Sequence, residues 1–360
     1  MDNTADHDSC MNALADAGIY LILDVNTPKY SINRANPGPS YNTAYLQSIF
    51  ATVDAFQKYS NTLAFFSGNE VINDGPTSAT APYVKAVTRD IRQYIRNRGY
   101  RTIPVGYSAA DVAENRMETA QYMNCGTADE RSDFFAFNDY SWCSPSSFVI
   151  SGWDQKVKNF TGYGLPIFLS EYGCNTNKRD FGEVSSLYST NMTGVYSGGL
   201  VYEYSQEESR YGLVQLNGNS VSTLADFNAL ASAFKNTPNP SGDGGYNQNT
   251  AASNCPSYSS PNWLVRGTAL PAIPDGAKTF MTQGAGKGPG LAGLGSQNAG
   301  GASTGTATAG SGQATRTGSS TSSATNAAPG THLQPVQSVL APVMATLVLV
   351  LSSLFGATLL

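Results

Sequence analysis

The chain has 360 residues, enough for one large domain of about 250 residues with a tail, or for two ordinary domains. Charged side chains make up 13% of it, against roughly 25% in an ordinary soluble chain, and the net charge of −5 comes with no basic cluster. That balance argues against nucleic acid as a partner, whereas a front portion rich in Tyr, Asn and Ser suits neutral polyhydroxyl ligands.

Met1 is followed by Asp-Asn-Thr-Ala-Asp-His-Asp, with neither the basic nor the apolar region of a signal peptide. A helix is expected over Asp6 to Ala17, with no strand before it. Short apolar runs then recur at Ile19–Val25, Thr62–Phe66, Thr102–Tyr107, Phe134–Asn138, Pro166–Ser170 and Gly199–Tyr204. Their starts lie roughly 30 to 45 residues apart, the spacing of a βα unit, and their continuous apolar character predicts strands buried on both faces. Between them, Leu46, Ile49, Phe50, Val53 and Phe56 make one helical face, and Val84, Val87, Ile91 and Ile95 make another. Asn97-Arg98-Gly99 ends the second, and a further helix is expected over Ala225 to Lys235.

Strands alternating with helices fit either an open doubly wound sheet or a (β/α)8 barrel. No Gly-x-Gly-x-x-Gly turn follows the first strand, which weakens the nucleotide-binding option. Polar residues at several strand ends favour the barrel: Asp24 and Asn26, Asn69-Glu70, Asn138 and Tyr140, Glu171, Tyr202. In a barrel these ends share one mouth. Only six strands are present, so the expected fold is an α/β TIM barrel lacking about its first two βα units, with two strand edges left open.

Five cysteines are present: Cys10, Cys125, Cys143, Cys174 and Cys255. None forms a C-x-x-C pair, and with two histidines in the chain no metal site is expected. Sequons at Asn159 and Asn191 fit a secreted glycoprotein, where an odd cysteine asks for a missing partner. From about Gly284 to Gly330 the chain is Gly/Ser/Thr/Ala-rich and is expected to be disordered. An uncharged apolar run, Val339 to Leu360, closes it. The small residues Asn326-Ala327-Ala328, a polar spacer and that run have the layout of a glycosylphosphatidylinositol (GPI) attachment signal, with Asn326 the attachment residue; a tail-anchor helix is the simpler alternative. The expected organisation is a catalytic barrel over 1–260, a linker over 261–338 carrying the attachment region, and the apolar signal over 339–360.

Glu70 and Glu171 each end an apolar strand, three units apart. Retaining glycosidases need two carboxyl groups about 5 to 5.5 Å apart, and strand ends so spaced face each other across a barrel mouth. Asn69, just before Glu70, can hydrogen-bond a sugar 2-hydroxyl, and Tyr140 and Tyr202 can donate to the nucleophile and hold it ionised.

The segments Leu23-Asp24-Val25-Asn26, Phe66-Ser67-Gly68-Asn69-Glu70-Val71, Asn138-Asp139-Tyr140-Ser141-Trp142-Cys143, Ser170-Glu171-Tyr172-Gly173-Cys174 and Gly199-Leu200-Val201-Tyr202-Glu203-Tyr204 together resemble the fungal β-1,3-glucanosyltransferases of glycoside hydrolase family 72, the lipid-anchored Gas/Gel/Phr group. The resemblance spans about residues 5 to 260. It implies a double displacement on β-1,3-glucan without a cofactor, with Glu70 as acid/base and Glu171 as nucleophile. A second glucan chain then attacks the glycosyl-enzyme, so that wall glucan is lengthened. It places Asp24, Asn69, Tyr140, Tyr202 and Tyr211 around the donor sugar. It pairs Cys125 with Cys255 and Cys143 with Cys174, and leaves Cys10 to a cysteine upstream of Met1. The family's signal peptide, first two βα units and a further active-site tyrosine are absent from this sequence, as is the cysteine-rich module of some members. The resemblance implies a place on the outer face of the plasma membrane or in the wall, held by the lipid anchor. The alternatives are a hydrolytic endo-β-glucanase on the same scaffold and a catalytically dead, wall-anchored remnant.

Overall fold

A computed structural model describes residues 1–307. The expected attachment residue Asn326 and the apolar run 339–360 lie outside the described residues. Along the chain come α1 (Asp8–Asp16), β1 (Leu21–Asp24), a single turn α2 (Pro37–Ser40), α3 (Thr43–Phe56), β2 (Thr62–Asn69), α4 (Ala81–Asn97), β3 (Val105–Ala110) and α5 (Arg116–Met123). They are followed by β4 (Phe134–Asp139), α6 (Trp153–Phe160), β5 (Ile167–Tyr172), α7 (Glu183–Leu187) and β6 (Tyr196–Val201). A hairpin of β7 (Val214–Asn217) and β8 (Ser220–Thr223) precedes α8 (Ala225–Asn236).

β1 to β6 form one parallel sheet in which each strand lies beside its sequence neighbour, the order of a barrel wall and not of a doubly wound sheet. Successive side chains alternate between its two faces. Ile22, Ala64, Phe66, Phe134, Ala136 and Leu200 pack together on one face, with Phe168 against them. The other face carries Leu21, Leu23, Phe65, Val105, Phe135, Phe137 and Leu169 into the main core beneath the helices. Gly106 is required on the inner face: a Cβ there would stand 2.5 Å from the Phe134 ring.

The helices form where periodicity expects them. Asn42 caps α3 by accepting a hydrogen bond from the Tyr45 N–H at 2.9 Å, and the Leu46, Ile49, Phe50, Val53, Phe56 face is buried. α4 runs to Asn97 and stops where Gly99 takes a positive φ of 69°. Short or irregular elements escape the periodic pattern, namely α5, α6, α7 and the hairpin.

The segment beyond 260 differs from the expected linker. Trp263, Val265, Leu270, Ile273, Ala277, Met281 and Ala285 are buried in the main core. Leu270–Pro271 (β9) pairs with Thr306–Ala307 (β10), and a short helix α9 (Phe280–Gln283) lies between them. Arg89 donates to the Pro271 carbonyl at 3.0 Å, Arg98 to that of Thr282 at 2.8 Å, and Asn42 to that of Ser296 at 2.5 Å. The apolar residues here are too sparse to read as an element, yet β9 and α9 lie against α4, the turn ending at Ala277 lies against α3, and Trp263 meets the Tyr122 ring of α5 edge-on. The stretch from Gly284 that is expected to be disordered therefore lies, as far as residue 307, along the body of the protein.

Disulfides join Cys125 to Cys255 and Cys143 to Cys174, and Cys10 is an exposed free thiol. The first closes a sequence separation of 130 residues. A loop of that size is worth about 4–5 kcal/mol in the chain-entropy account. Replacing Cys125 and Cys255 together with Ser is expected to lower the unfolding free energy by about 3–5 kcal/mol, read from urea midpoints. A midpoint unchanged from the parent would show that other contacts hold the segment.

Candidate active site

The two carboxylates reach one mouth by the same local device. β2 advances from Phe66 to Asn69 while β3 advances only from Gly106 to Ser108. β5 advances from Leu169 to Glu171 while β4 advances only from Phe137 to Asn138. Each carboxylate strand thus carries one extra residue just before its functional end. An extra residue reverses which face the following side chain meets. Without it, strict alternation would turn Asn69 and Glu171 toward the helices.

Glu70 follows at once, with a positive φ of 49° and its N–H on the Ser108 carbonyl at 2.9 Å. A non-glycine residue in that left-handed region costs about 1 kcal/mol or more, and such strain persists where the surrounding structure fixes a functional group.

Beneath the glutamates lies a floor of small polar groups. The hydroxyls of Ser108 and Ser170 are 2.7 Å apart. The Ser170 hydroxyl is within donating reach of the Asn138 Oδ1 at 2.8 Å, and the Ser108 hydroxyl lies 3.2 Å from it. Ser108 also lies 2.7 Å from the Asn69 Oδ1. Asn138 Nδ2 donates to Glu70 Oε1 at 2.8 Å and to the Asn69 Oδ1 at 3.2 Å. With its oxygen turned down into the floor, Asn69 keeps its amide N–H groups for a ligand in the mouth.

The Tyr140 hydroxyl donates to Glu171 Oε2 at 2.5 Å. Tyr140, Tyr202 and Tyr211 pack edge to face, with centroids 5.2 to 6.3 Å apart, as one aromatic wall beside Glu171. Arg179 fixes two of the three segments that carry that wall: its guanidinium donates to the Tyr202 carbonyl at 2.7 Å and the Tyr211 carbonyl at 2.6 Å, and meets Asp226 at 3.3 Å. The Cys143–Cys174 disulfide joins the segments after β4 and β5.

Asp24 stands apart from this cluster. Its Oδ1 accepts from the backbone and side chain of Asn26 at 2.9 and 2.8 Å, and Asn26 Oδ1 in turn accepts from Tyr45 at 2.5 Å. The structure thus brings Glu70, Glu171, Asn69, Tyr140, Tyr202 and Tyr211 together and leaves Asp24 in its own network. Ser108, Ser170 and Arg179 escape sequence reasoning. The serines did leave a signal, as small polar residues at inward positions of apolar strands. Asn159 and Asn191 are both exposed. A separate cavity of about 800 Å³ lies at the opposite ends of β5 and β6, between Ile167, Tyr196 and the 240–250 segment, and neither glutamate lines it.

Burial pushes the Glu171 carboxyl up to about 7, and the negative charges of Glu70 and Glu203 add to the rise. The hydrogen bond from Tyr140 acts the other way. Burial also lifts Asp24 to about 6, and Glu183, on α7, to about 7. All three hold a proton in the fold at pH values where the unfolded chain has lost it. The stability this confers is complete below about pH 4 and is lost as the pH rises toward 7. The melting temperature is expected to be lower at pH 7.5 than at pH 5, and Glu183→Gln to flatten that difference. A difference unchanged in Glu183→Gln would remove Glu183 as a contributor.

Among the described residues no group of three or more His, Cys, Asp or Glu side chains is placed to hold a metal ion, and no helix is long and apolar enough to cross a membrane.

Two carboxylates at a barrel mouth, with an amide beside one and a tyrosyl donor on the other, are what glycoside chemistry requires. Comparison with known proteins gives the kinship. The glucanosyltransferase profile of glycoside hydrolase family 72 matches residues 1–238. The chain belongs to glycoside hydrolase family 72. Among the family's members it is 75% identical over 293 residues to the 1,3-beta-glucanosyltransferase gel1 of Aspergillus fumigatus, covering 81% of this chain and 65% of that one. It is 52% identical over 297 residues to the 1,3-beta-glucanosyltransferase GAS5 of Saccharomyces cerevisiae, covering 81% and 61%. It is also similar to a crystallised variant of the family's Gas2p from Saccharomyces cerevisiae, in complex with laminaritetraose and laminaripentaose: TM-score 0.71, 38% identity, 77% of this chain and 62% of that one. The chain therefore spans less than two thirds of the length of these family relatives.

Proposed function

We propose that this protein is a retaining β-1,3-glucanosyltransferase. It cleaves β-1,3-glucan internally and passes the new reducing end to the end of a second glucan chain, elongating wall glucan. The observation that carries this reading is the pair Glu70 and Glu171, each delivered to one mouth by an extra strand residue, with Tyr140 bonded to Glu171.

Glu70 is the acid/base. Asn69 precedes it, and the free amide of Asn69 is placed for the donor sugar's 2-hydroxyl. Glu70 protonates the departing oxygen while Glu171 attacks the anomeric carbon, giving a glycosyl-enzyme; Glu70, now ionised, then takes the proton from the acceptor hydroxyl. Glu171 must be ionised to attack, and burial alone opposes that. The Tyr140 hydroxyl offsets part of it in the free enzyme, and the positive charge developing at the anomeric carbon offsets it further in the transition state. Tyr202 and Tyr211 give the donor sugar apolar edges and hydroxyls together, and Asp24 shapes the mouth on the β1 side through Asn26 and Tyr45.

The relatives named glucanosyltransferases and the laminari-oligosaccharides bound by a Gas2p variant support glucan as both donor and acceptor. A lipid anchor at Asn326, glycans on Asn159 and Asn191, and a place on the outer face of the plasma membrane or in the wall complete the proposal. Incubating the protein with a reduced β-1,3-oligosaccharide and sizing the products tests it. Products longer than the substrate are expected; only shorter ones would make it a hydrolase, and none at all a remnant.

A further inference from the structure

We propose that Lys156 is a positioning residue for the nucleophile: it anchors the turn 139–141 to α6 and so aims the Tyr140 hydroxyl at Glu171. This rests on the reading of Glu171 as nucleophile.

Consecutive residues at the end of β4 face opposite ways. Asn138 and Tyr140 turn into the mouth, and Asp139 between them turns toward α6. Whatever grips Asp139 therefore sets where Tyr140 begins. Lys156 Nζ lies 2.6 Å from Asp139 Oδ2, 2.6 Å from Asp111 Oδ2 and 3.2 Å from the Ser141 hydroxyl. The other oxygen of Asp139 accepts from the Ser141 N–H at 2.9 Å and from its hydroxyl at 2.5 Å. Both oxygens of Asp139 are thus engaged, one on α6 and one on the residue just past Tyr140. Downstream, the Cys143–Cys174 disulfide holds the same turn to the segment that follows Glu171. Tyr140 sits between two fixed points.

The Asp139 and Lys156 side chains are 1% and 8% exposed. A buried ion pair is a poor source of stability, because desolvation of both charges offsets their attraction and an apolar pair of similar volume packs as well. What it supplies here is a fixed distance between β4 and α6 at the residue next to the nucleophile's donor.

The charged and titratable groups around Lys156 are Asp111, Asp139 and, bonded to the other oxygen of Asp111, Arg116, with Tyr196 beneath them. Those facing Glu171 are Glu70 and Glu203, which oppose its ionisation, and Tyr140, Tyr202 and Tyr211. Among the described residues no cation forms an ion pair with Glu171. Its ionised form depends on the hydrogen bond that Tyr140 donates.

The test is the carbon-13 titration of the Glu171 carboxyl, which needs no turnover. Tyr140→Phe is expected to raise its midpoint by about one pH unit, the size of a lost hydrogen bond to a charge. Lys156→Met is expected to raise it by most of that amount, Ser141→Ala by less, and Lys156→Arg little. The variant carrying both Lys156→Met and Tyr140→Phe is expected to match Tyr140→Phe alone, since the lysine acts through the tyrosine. A direct charge effect would instead add in the double variant, and additive shifts would overturn the proposal. So would a wild-type midpoint in Lys156→Met, or in Ser141→Ala, which keeps the buried ion pair should Lys156→Met not fold. In glucan elongation, Lys156→Met is expected to lower kcat with KM within about twofold, as befits a group acting only on the chemical step. A protein that elongates no glucan would refute the functional reading and leave the titration result standing.

Discussion

Glu171→Ala is expected to lower glucan elongation by about 10⁴-fold or more, the scale on which loss of a covalent nucleophile falls. Tyr202, Tyr211 and the Asn69 amide remain, so binding of a laminari-oligosaccharide is expected to change little while turnover disappears. The stereochemistry is more telling than the rate. Truncation leaves a space beneath the anomeric carbon, on the face that Glu171 attacked. Given a dinitrophenyl β-laminaribioside, whose leaving group departs unassisted, and azide, the variant is expected to form the α-glycosyl azide by a single displacement from that face. Recovery of the β-azide would mean that a covalent intermediate still forms on another residue, and Glu171 would lose its role.

Much of this site is legible in the sequence because barrel chemistry is written at strand ends. Six apolar runs at βα spacing give the wall, and the polar residues at the ends of five of them give the mouth. Glu70 and Glu171 stand out there, since a carboxylate directly after a doubly buried strand has no structural reason to be charged. The register of those strands is not legible. Phe66-Ser67-Gly68-Asn69 and Leu169-Ser170-Glu171 read as ordinary alternation, under which Asn69 and Glu171 would face the helices. Only the pairing against β3 and β4 shows the extra residue in each. A bulge is a relation between two strands, and one strand's periodicity cannot contain it.

The packed segment after residue 260 is hidden for a related reason. Trp263, Leu270 and Met281 follow no period of their own because they meet separate elements, α5 for the first and α4 for the other two, so their spacing records other elements' surfaces. Arg179 is hidden likewise. Asn-Lys-Arg-Asp reads as a solvated turn, yet its arginine is buried and spans two carbonyls that the sequence places more than twenty residues further on. Composition predicts exposure for such groups, and only tertiary closure overrides it.

Glu70→Ala is expected to divide the reaction at its intermediate. On glucan the first step needs a proton on the departing oxygen, and its loss is expected to cost about 10²- to 10⁴-fold. With the dinitrophenyl donor that proton is not needed, so attack by Glu171 proceeds. The second step then fails, because no base takes the proton from the acceptor hydroxyl. The glycosyl-enzyme is therefore expected to accumulate on Glu171 as a covalent mass increment of one laminaribiosyl unit. Azide, an anion that needs no base, is expected to release it as the β-glycosyl azide, the opposite anomer from that formed by Glu171→Ala. This pair of outcomes assigns both carboxylates from product configuration alone. If Glu70→Ala turned over the activated donor with free sugar as product and no trapped intermediate, the proton of the second step would be going elsewhere. Glu203 would be the group to examine, being the other carboxylate whose charge Glu171 feels.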